Sequence, residues 1–346
     1  MRRCKAVFIP VILVSVLGFC APVQSQDAIQ LLNPSFEVGD LAPLGWTVYG
    51  GAGFEWETEV VHSGQLSAKI SHTLYRRVHL ESDLIPLDPQ QGYTWLTLSG
   101  WLNTEMSQGE IYLALAWYDV AGNRLALSRS DRLYIPPQEW TELSFSELAP
   151  EAAAFFSVWC ASDYNPGTAW FDALTLNTTV LPRKRLPMVE MVGEDLRQGL
   201  VLNDILIPLP SAGGHQQFIS DYPDHPLTVE SLYRIERQKF QAARDLGQRK
   251  ERSLSSEVLQ RVFTQPPERN FLSVALAGDN AAVDWHLQRY ETLIDEVLYQ
   301  LAVNSASLAD YALARQYNAL IVERQMTPLF VFRAERNLRA LTRSDF

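Results

Sequence analysis

The sequence predicts a multidomain β + α chain: an N-terminal antiparallel β-sandwich (jelly roll) over residues 26–180, then an α-helical bundle over 228–346. Three observations predict it. Apolar residues alternate with period two in short runs from residue 30 to 176, and after residue 228 the period lengthens to that of a helix. Composition also breaks near residue 180. Eight of the nine tryptophans precede it, and residues 26–180 carry 6 Lys/Arg against 19 Asp/Glu (6 − 19 = −13), whereas residues 181–346 carry 20 against 21 (−1).

The first 25 residues read as a leader. Met1-Arg2-Arg3-Cys4-Lys5 is basic, Val7–Phe19 is apolar, and Val23-Gln24-Ser25 suits a signal peptidase, with cleavage expected after Ser25. The apolar run is too short to span a bilayer. A lipid anchor needs a small residue before Cys20, and Phe19 stands there. The expected location is therefore secreted or periplasmic, with no later span. Cys4 and Cys20 leave with the leader, so Cys160 alone remains and no intramolecular disulfide can form. Stability must come from a core, for which the chain is long enough. So acidic a front half repels phosphate backbones and anionic lipid, which excludes nucleic acid as a partner.

The strands follow in order. Short alternating runs lie near 45–50, 54–61, 66–72 and 75–87. In Tyr93–Asn103, Leu96, Leu98 and Leu102 share one face, and Tyr93, Trp95, Ser99, Trp101 and Asn103 the other. In Ile111–Asp119, Ile111, Leu113, Leu115 and Trp117 share a face, and Tyr112 and Tyr118 take the reverse. Ala121-Gly122-Asn123 makes a turn, and further strands are expected at 124–135, 139–148, 152–162 and 168–177. Many short strands with turns every ten or so residues make a sandwich or jelly roll.

Five pieces of this half occur in a telling order: Asn33, Phe36, Glu37 and Gly39 followed by Gly45-Trp46; His62–Ile70; Tyr93–Trp101; Trp117–Gly122; and Phe171-Asp172-Ala173-Leu174-Thr175-Leu176. Over residues 28–178 they resemble the galactose-binding-domain-like jelly rolls, carbohydrate-binding modules in particular. The resemblance implies that the first and last segments run side by side, with Phe36 and Phe171 in the core and Glu37 and Asp172 close together. Such folds often hold a structural calcium there. Glu37 and Asp172 would be its carboxylate ligands, with Gly39 and Gly64 as carbonyl donors, since adjacent carboxylates repel unless a cation lies between them. The alternative pairs one carboxylate with Lys69 or leaves it facing water.

Aromatic and polar residues on outward strand faces mark a ligand floor: Trp95, Trp101, Asn103, Tyr112, Tyr118 and Trp159, with Phe155 beside them and Arg77, His79 and Glu81 at the edge. Flat rings stack on the C–H faces of sugars, and a few placed polar groups read the hydroxyls. Two alternatives stay open: the aromatics are a platform for the second domain, or a one-residue slip turns them inward. Trp46, Tyr49 and Trp56 form a second group near the first loops, where tryptophans also serve as end plugs.

Val180–Pro187 reads as a linker, and 186–227 as loop with a strand at 200–207. Thr228 caps a helix running to about 252. Shorter helical patterns follow at 254–264 and from 307 to 325, and Thr327-Pro328 opens a last helix to about 341. The long stretch from Asp279 repeats Val283, Leu287, Tyr290, Ile294, Val297 and Leu301 at helical spacing. Glu230-Ser231 superficially matches wall-cleaving transglycosylases, but Arg234-Ile235-Glu236-Arg237 stands where their Gly-Leu-Met-Gln segment belongs. His215, Asp221, Asp224 and His225 are the other acid–base or metal-ligand candidates, at a spacing that matches no known site. No Gly-x-Ser-x-Gly elbow or phosphate loop appears.

The function these features point to is a secreted, non-catalytic binding protein. Its jelly roll recognises a polysaccharide or glycan, and its helical domain serves partner contact or oligomerisation. The alternatives are a glycoside-cleaving hydrolase or lyase with its chemistry in the C-terminal half, and an envelope or adhesion protein without a sugar site.

Overall fold

The computed structural model describes residues 29–40, 42–51, 53–73, 76–87, 92–105, 110–131, 139–164, 167–184, 196, 199–262 and 267–343. The expected leader, residues 1–25, lies outside the described residues. Eleven strands build two antiparallel sheets. The first has the order β1 (Trp46–Tyr49), β4 (Arg77–Ser82), β10 (Phe155–Asp163), β7 (Glu110–Tyr118), β8 (Arg124–Arg129), with β5 (Ile85–Pro86) also on β10. The second has the order β2 (Gly53–Glu57), β3 (Ser67–His72), β11 (Gly167–Leu181), β6 (Tyr93–Glu105), β9 (Thr141–Leu148).

The alternation explains the sandwich. Leu96, Leu98 and Leu102 of β6 meet Leu113, Leu115 and Trp117 of β7 in one buried core, together with Val78, Leu80, Phe145, Val158 and Phe171. The leucine face of β6 is thus the inner face, and the inverted register does not occur. Phe36 reaches the same core from a turn, at φ 59°, rather than from a strand. The Leu174 amide donates to the Pro34 carbonyl at 2.9 Å, which fixes the opening segment against a bulge in β11.

The second half holds a hairpin, β12 (Leu200–Leu202) and β13 (Ile205–Ile207), whose turn residues Asn203 and Asp204 both have positive φ, as a tight hairpin turn demands. Seven helices follow among the described residues: α1 (Ala212–Asp221), α2 (Pro226–Gln248), α3 (Arg252–Leu259), α4 (Arg269–Ala275), α5 (Asn280–Ser307), α6 (Tyr311–Arg324) and α7 (Pro328–Arg343). Of these, α1 falls where the sequence reading placed loop, and α4 in a stretch to which it assigned no element. The cap of α2 is His225, with Pro226 in the first turn, rather than Thr228. A core of Tyr233, Phe240, Tyr290, Leu293, Val297 and Leu301 joins α2 to α5, with the hairpin and α3 closing it.

The halves meet over a buried, polar interface. Phe218 of α1 packs edge-on against Tyr93 and Trp95 on the outer face of β6. Beside it, His215 Nε2 lies 2.7 Å from Glu147 Oε1, and the Tyr93 hydroxyl donates to Asp221 at 2.7 Å. Arg234 of α2 donates to Glu230 at 2.7 Å, to the Ser146 carbonyl at 2.9 Å and to the Arg129 carbonyl at 2.8 Å. Arg289 of α5 completes the set, 2.6 Å from Glu230 and 2.6 Å from Asp131. Buried charge is tolerable when it is paired, and here Arg234 and Arg289 pair with Glu230, Glu147 and Asp131 across the interface, although one terminal nitrogen of Arg234 stays buried without a hydrogen bond among the described residues.

Candidate functional site

The register divides the expected ligand floor between two sheets. Arg77, His79, Glu81, Tyr112, Tyr118 and Trp159 come together on the outer face of the first sheet. There Glu81 pairs with Trp159, His79 with Ala161 and Arg77 with Asp163 across β4 and β10, while Ala161 pairs with Tyr112 and Phe155 with Tyr118 across β10 and β7. Trp95, Trp101 and Asn103 stand on the outer face of the second sheet. Parity tells on which side of its own strand a residue lies, not which sheet the strand joins.

On the first sheet the aromatic cluster of Tyr112, Trp159 and Tyr118 contains no helical residue, but Tyr112 is 1 % and Trp159 7 % exposed, so these rings are packed under their neighbours. Helix-side ties at its margin include Arg244 to Glu110, at 3.2 Å, and Arg234 to the Arg129 carbonyl, at 2.8 Å. The rings are locked side by side. Tyr49 stacks on His79 with centroids 5.1 Å apart, His79 on Trp159 at 3.8 Å, and the Arg124 guanidinium sits 5.5 Å above Trp159. The Trp159 ring is thereby in contact with both His79 and Arg124. The ladder's free ring face belongs to Tyr49, which is 46 % exposed.

The polar groups are equally fixed. Glu81 accepts from the Tyr118 hydroxyl at 2.6 Å and the Ser157 hydroxyl at 2.7 Å, and its other oxygen lies 3.5 Å from His79 Nε2. Burial would raise its carboxyl, but the hydrogen bonds from His79, Tyr118 and Ser157 outweigh burial and hold it at about 2. Burial and Glu81 together push the Tyr118 phenol up to about 12. The Tyr112 hydroxyl donates to Asp163 at 2.7 Å, and Arg77 lies 3.7 Å from the same carboxylate.

On the second sheet, Trp95 is 1 % exposed beneath α1 and takes part in the domain contact, one of the alternatives the sequence left open. Trp101 is half-buried, its ring stacked 3.9 Å from His62, with Trp140 edge-on to that imidazole. Asn103 is buried. Trp46 and Trp56 are anchored by their indole N–H groups to the Leu32 and Asp40 carbonyls and plug the sandwich end.

The two corner carboxylates do meet on one loop. Glu37 Oε1 accepts the Gln65 and Leu66 amides at 2.9 and 3.1 Å. Asp172 Oδ2 accepts those of His62 and Ser63 at 3.0 and 2.8 Å. Gly64, at φ 67°, lies so close that a Cβ there would collide with Glu37 Oε1. Lys69 is engaged elsewhere, with Glu55 at 3.2 Å and Glu57 at 3.4 Å. Among the described residues neither Glu37 nor Asp172 pairs with a Lys or Arg, and burial pushes the Asp172 carboxyl up. This donor chemistry, two anions without a cationic side chain around a glycine-tight loop, fits a hard cation. Gly39 instead turns against Pro43 and the Trp56 ring. Among the described residues no group of three His, Cys, Asp or Glu side chains forms a metal cluster, so the remaining oxygens of any ion shell would be carbonyls or water.

The candidates in the second half do not converge. His215 and Asp221 belong to the domain interface, His225 accepts the Leu227 amide as the cap of α2, and Asp224 is exposed. Glu230 is buried; the charges of Arg289 and Arg234 overcome its burial and hold its carboxyl at about 2. Sequence reasoning missed Tyr49's place in the ladder and Asp163, Ser157 and Arg124 around it. Arg124 and Asp163 begin and end strands, where parity alone gives no partner.

No protein-family model matches the chain, and no curated protein does. Solved structures do. The CBM22-1 xylan-binding domain of Paenibacillus barcinonensis Xyn10C is 15 % identical over 45 % of this chain and 96 % of its own, with a TM-score of 0.36. The CBM22-1–CBM22-2 tandem of the same protein is 16 % identical over 45 % of this chain and 47 % of its own, with a TM-score of 0.37. The enzymatically active domain of bacteriophage CBA120 tailspike protein 4 is 12 % identical over 42 % of this chain and 21 % of its own, with a TM-score of 0.35.

Proposed function

We propose that this chain is a secreted, non-catalytic glycan-binding protein whose ligand face is the outer face of β1, β4, β10, β7 and β8, with the helical half as its rigid backing and partner-contact surface. One observation carries the reading: the register gathers six of the nine expected ligand residues on one outer sheet face, beside the exposed ring of Tyr49. The face offers Tyr49 as the open ring for a sugar's C–H surface, and Arg77 and the Glu81 cluster for its hydroxyls. Its chemistry favours binding over cleavage. Both oxygens of Glu81 are already engaged, one by the Tyr118 and Ser157 hydroxyls and the other beside His79. Among the described residues no helix is long and apolar enough to cross a membrane.

Affinity electrophoresis and pull-down on a panel of neutral and acidic polysaccharides test this. The wild type is expected to be retained by at least one, and Tyr49→Ala to weaken retention about tenfold, the worth of one aromatic stack of about 1–1.5 kcal/mol. Glu81→Gln is expected to weaken it too, by loosening Tyr118 and His79. Retention by no polysaccharide, or retention indifferent to Tyr49 and Glu81, would sink the proposal.

A structural calcium at Glu37 and Asp172 is the second part of the same reading. It would supply no chemistry beyond neutralising the two carboxylates and tying the opening segment to β11. Chelation with EDTA is expected to lower Tm by about 5 °C or more, reversed by calcium and abolished in Asp172→Asn. An unchanged Tm on chelation rules the ion out.

A further inference from the structure

At the end of the sandwich opposite the carboxylate corner, the last residues of β3 and the first of β11 frame an open cleft of about 620 Å³, lined by Ser71, His72, Thr73, Arg76, Gly167 and Thr168. From this cleft we infer a second binding site, one that takes the carboxylate of an acidic sugar such as a hexuronate. It rests on the reading that the sandwich binds glycans, but not on the sheet face.

Three features point to an acidic ligand. The lining is hydroxyl-rich: Ser71 Oγ and Thr168 Oγ1 lie 3.2 Å apart across the β3–β11 pair, and His72 Nε2 lies 3.4 Å from Ser162 Oγ. Such groups both donate to and accept from sugar hydroxyls. Gly167 leaves one wall of the cleft without a side chain. Arg76 then supplies the charge. One of its terminal nitrogens donates to the Gly51 carbonyl, while its Nε is buried with no partner. A guanidinium presents donors in a fork that matches a carboxylate, and it is the terminal nitrogens, not the buried Nε, that could reach a ligand in the cleft.

The setting sharpens the point. This half holds 19 acidic residues for 6 basic ones. Lys69 is paired with Glu55 and Glu57, and Arg77, next to Arg76 in the chain, is paired with Asp163. Among the described residues Arg76 has no carboxylate partner. Where acids outnumber bases threefold, a guanidinium left without an acid at the mouth of a polar cleft is a vacancy for an incoming anion. The surrounding negative field excludes highly charged polyanions and leaves room for a singly charged sugar.

Calorimetric and heteronuclear NMR titrations of the full-length protein with sodium D-glucuronate, D-glucose and sodium acetate test the inference. Glucuronate is expected to shift the amide signals of Ser71, Thr73, Gly167 and Thr168 and to bind at least tenfold more tightly than glucose or acetate. Arg76→Gln is expected to erase that preference, and Arg76→Lys, which keeps the charge without the fork, to retain part of it. Equal binding of glucuronate and glucose overturns the charge argument. Acetate as good as glucuronate makes the cleft an anion site without sugar recognition, which also overturns it, as does a preference that survives Arg76→Gln. Tyr49→Ala separates the two sites. Polysaccharide retention lost with glucuronate binding kept supports this cleft, and glucuronate binding absent with retention kept sinks the cleft alone.

Discussion

Replacing Arg289 by alanine is expected to destabilise the whole protein by about 3–5 kcal/mol, the cost of leaving buried carboxylates without their cation. Arg289 lies 2.6 Å from both Glu230 and Asp131, and the Arg289 and Glu230 side chains are each only 6 % exposed. Asp131 belongs to the sandwich, Glu230 to α2 and Arg289 to α5, so one guanidinium ties three elements from two halves. Removing it strands Glu230 with Arg234 alone and leaves Asp131, whose side chain is 28 % exposed, with Tyr233 and the more distant Arg237, 3.9 Å away. Two probes can be read at once in urea melts. Eight of nine tryptophans lie in the first half, so fluorescence follows the sandwich and far-ultraviolet circular dichroism follows the helices. Both curves are expected to move together. A shift below about 1 kcal/mol, or one confined to the helical signal, would mean that the halves are energetically separate. Acid acts on the same network. Glu230 is held at about 2, below its ordinary 4.5, so the stability it contributes is fully present above pH 4.5 and is lost as pH falls toward 2. Glu81 titrates in the same window and the same direction. The midpoint should therefore fall steeply below pH 4.5, and Glu230→Gln should flatten that slope.

None of this network was legible in the chain. Glu230 and Arg234 enter the sequence reading only through the transglycosylase comparison and Arg289 not at all, because sequence periodicity separates apolar from polar and cannot tell a polar residue facing water from one facing another chain segment. The sandwich was legible for the opposite reason. Leu96, Leu98 and Leu102 alternate strictly, and only one side of a half-buried strand can be wet. Helix α1 escaped notice because Gly213-Gly214 in its first turn are poor helix formers. What holds it is tertiary: Phe218 against Trp95 and His215 against Glu147. The ligand floor was legible in part. The parity of each strand was right, and the six residues on β4, β7 and β10 converge because those strands are neighbours. The separation of Trp95, Trp101 and Asn103 is decided by β6 pairing with β11 and β9 in the other sheet, a non-local choice that no local pattern encodes.

Trp95→Ala turns that separation into a measurement. On the reading that every outward tryptophan is a sugar platform, the substitution weakens polysaccharide retention and spares stability. The structure predicts the reverse. The Trp95 ring is buried against Phe218 and His215, and its removal opens a cavity under α1, at an expected cost of about 3–5 kcal/mol. Retention per folded molecule is expected to stay within twofold of the wild type. Trp101→Ala is the companion. Its ring is half-buried against His62, away from the helices, so its cost is expected to be smaller than that of Trp95→Ala. Phe218→Ala approaches the same contact from the other side. If the two rings act as one joint, Trp95→Ala and Phe218→Ala together cost less than the sum of the singles, since each alone already empties the same space. Strict additivity would mean that α1 does not rest on β6 in solution, and a loss of retention in Trp95→Ala would return that tryptophan to the ligand floor.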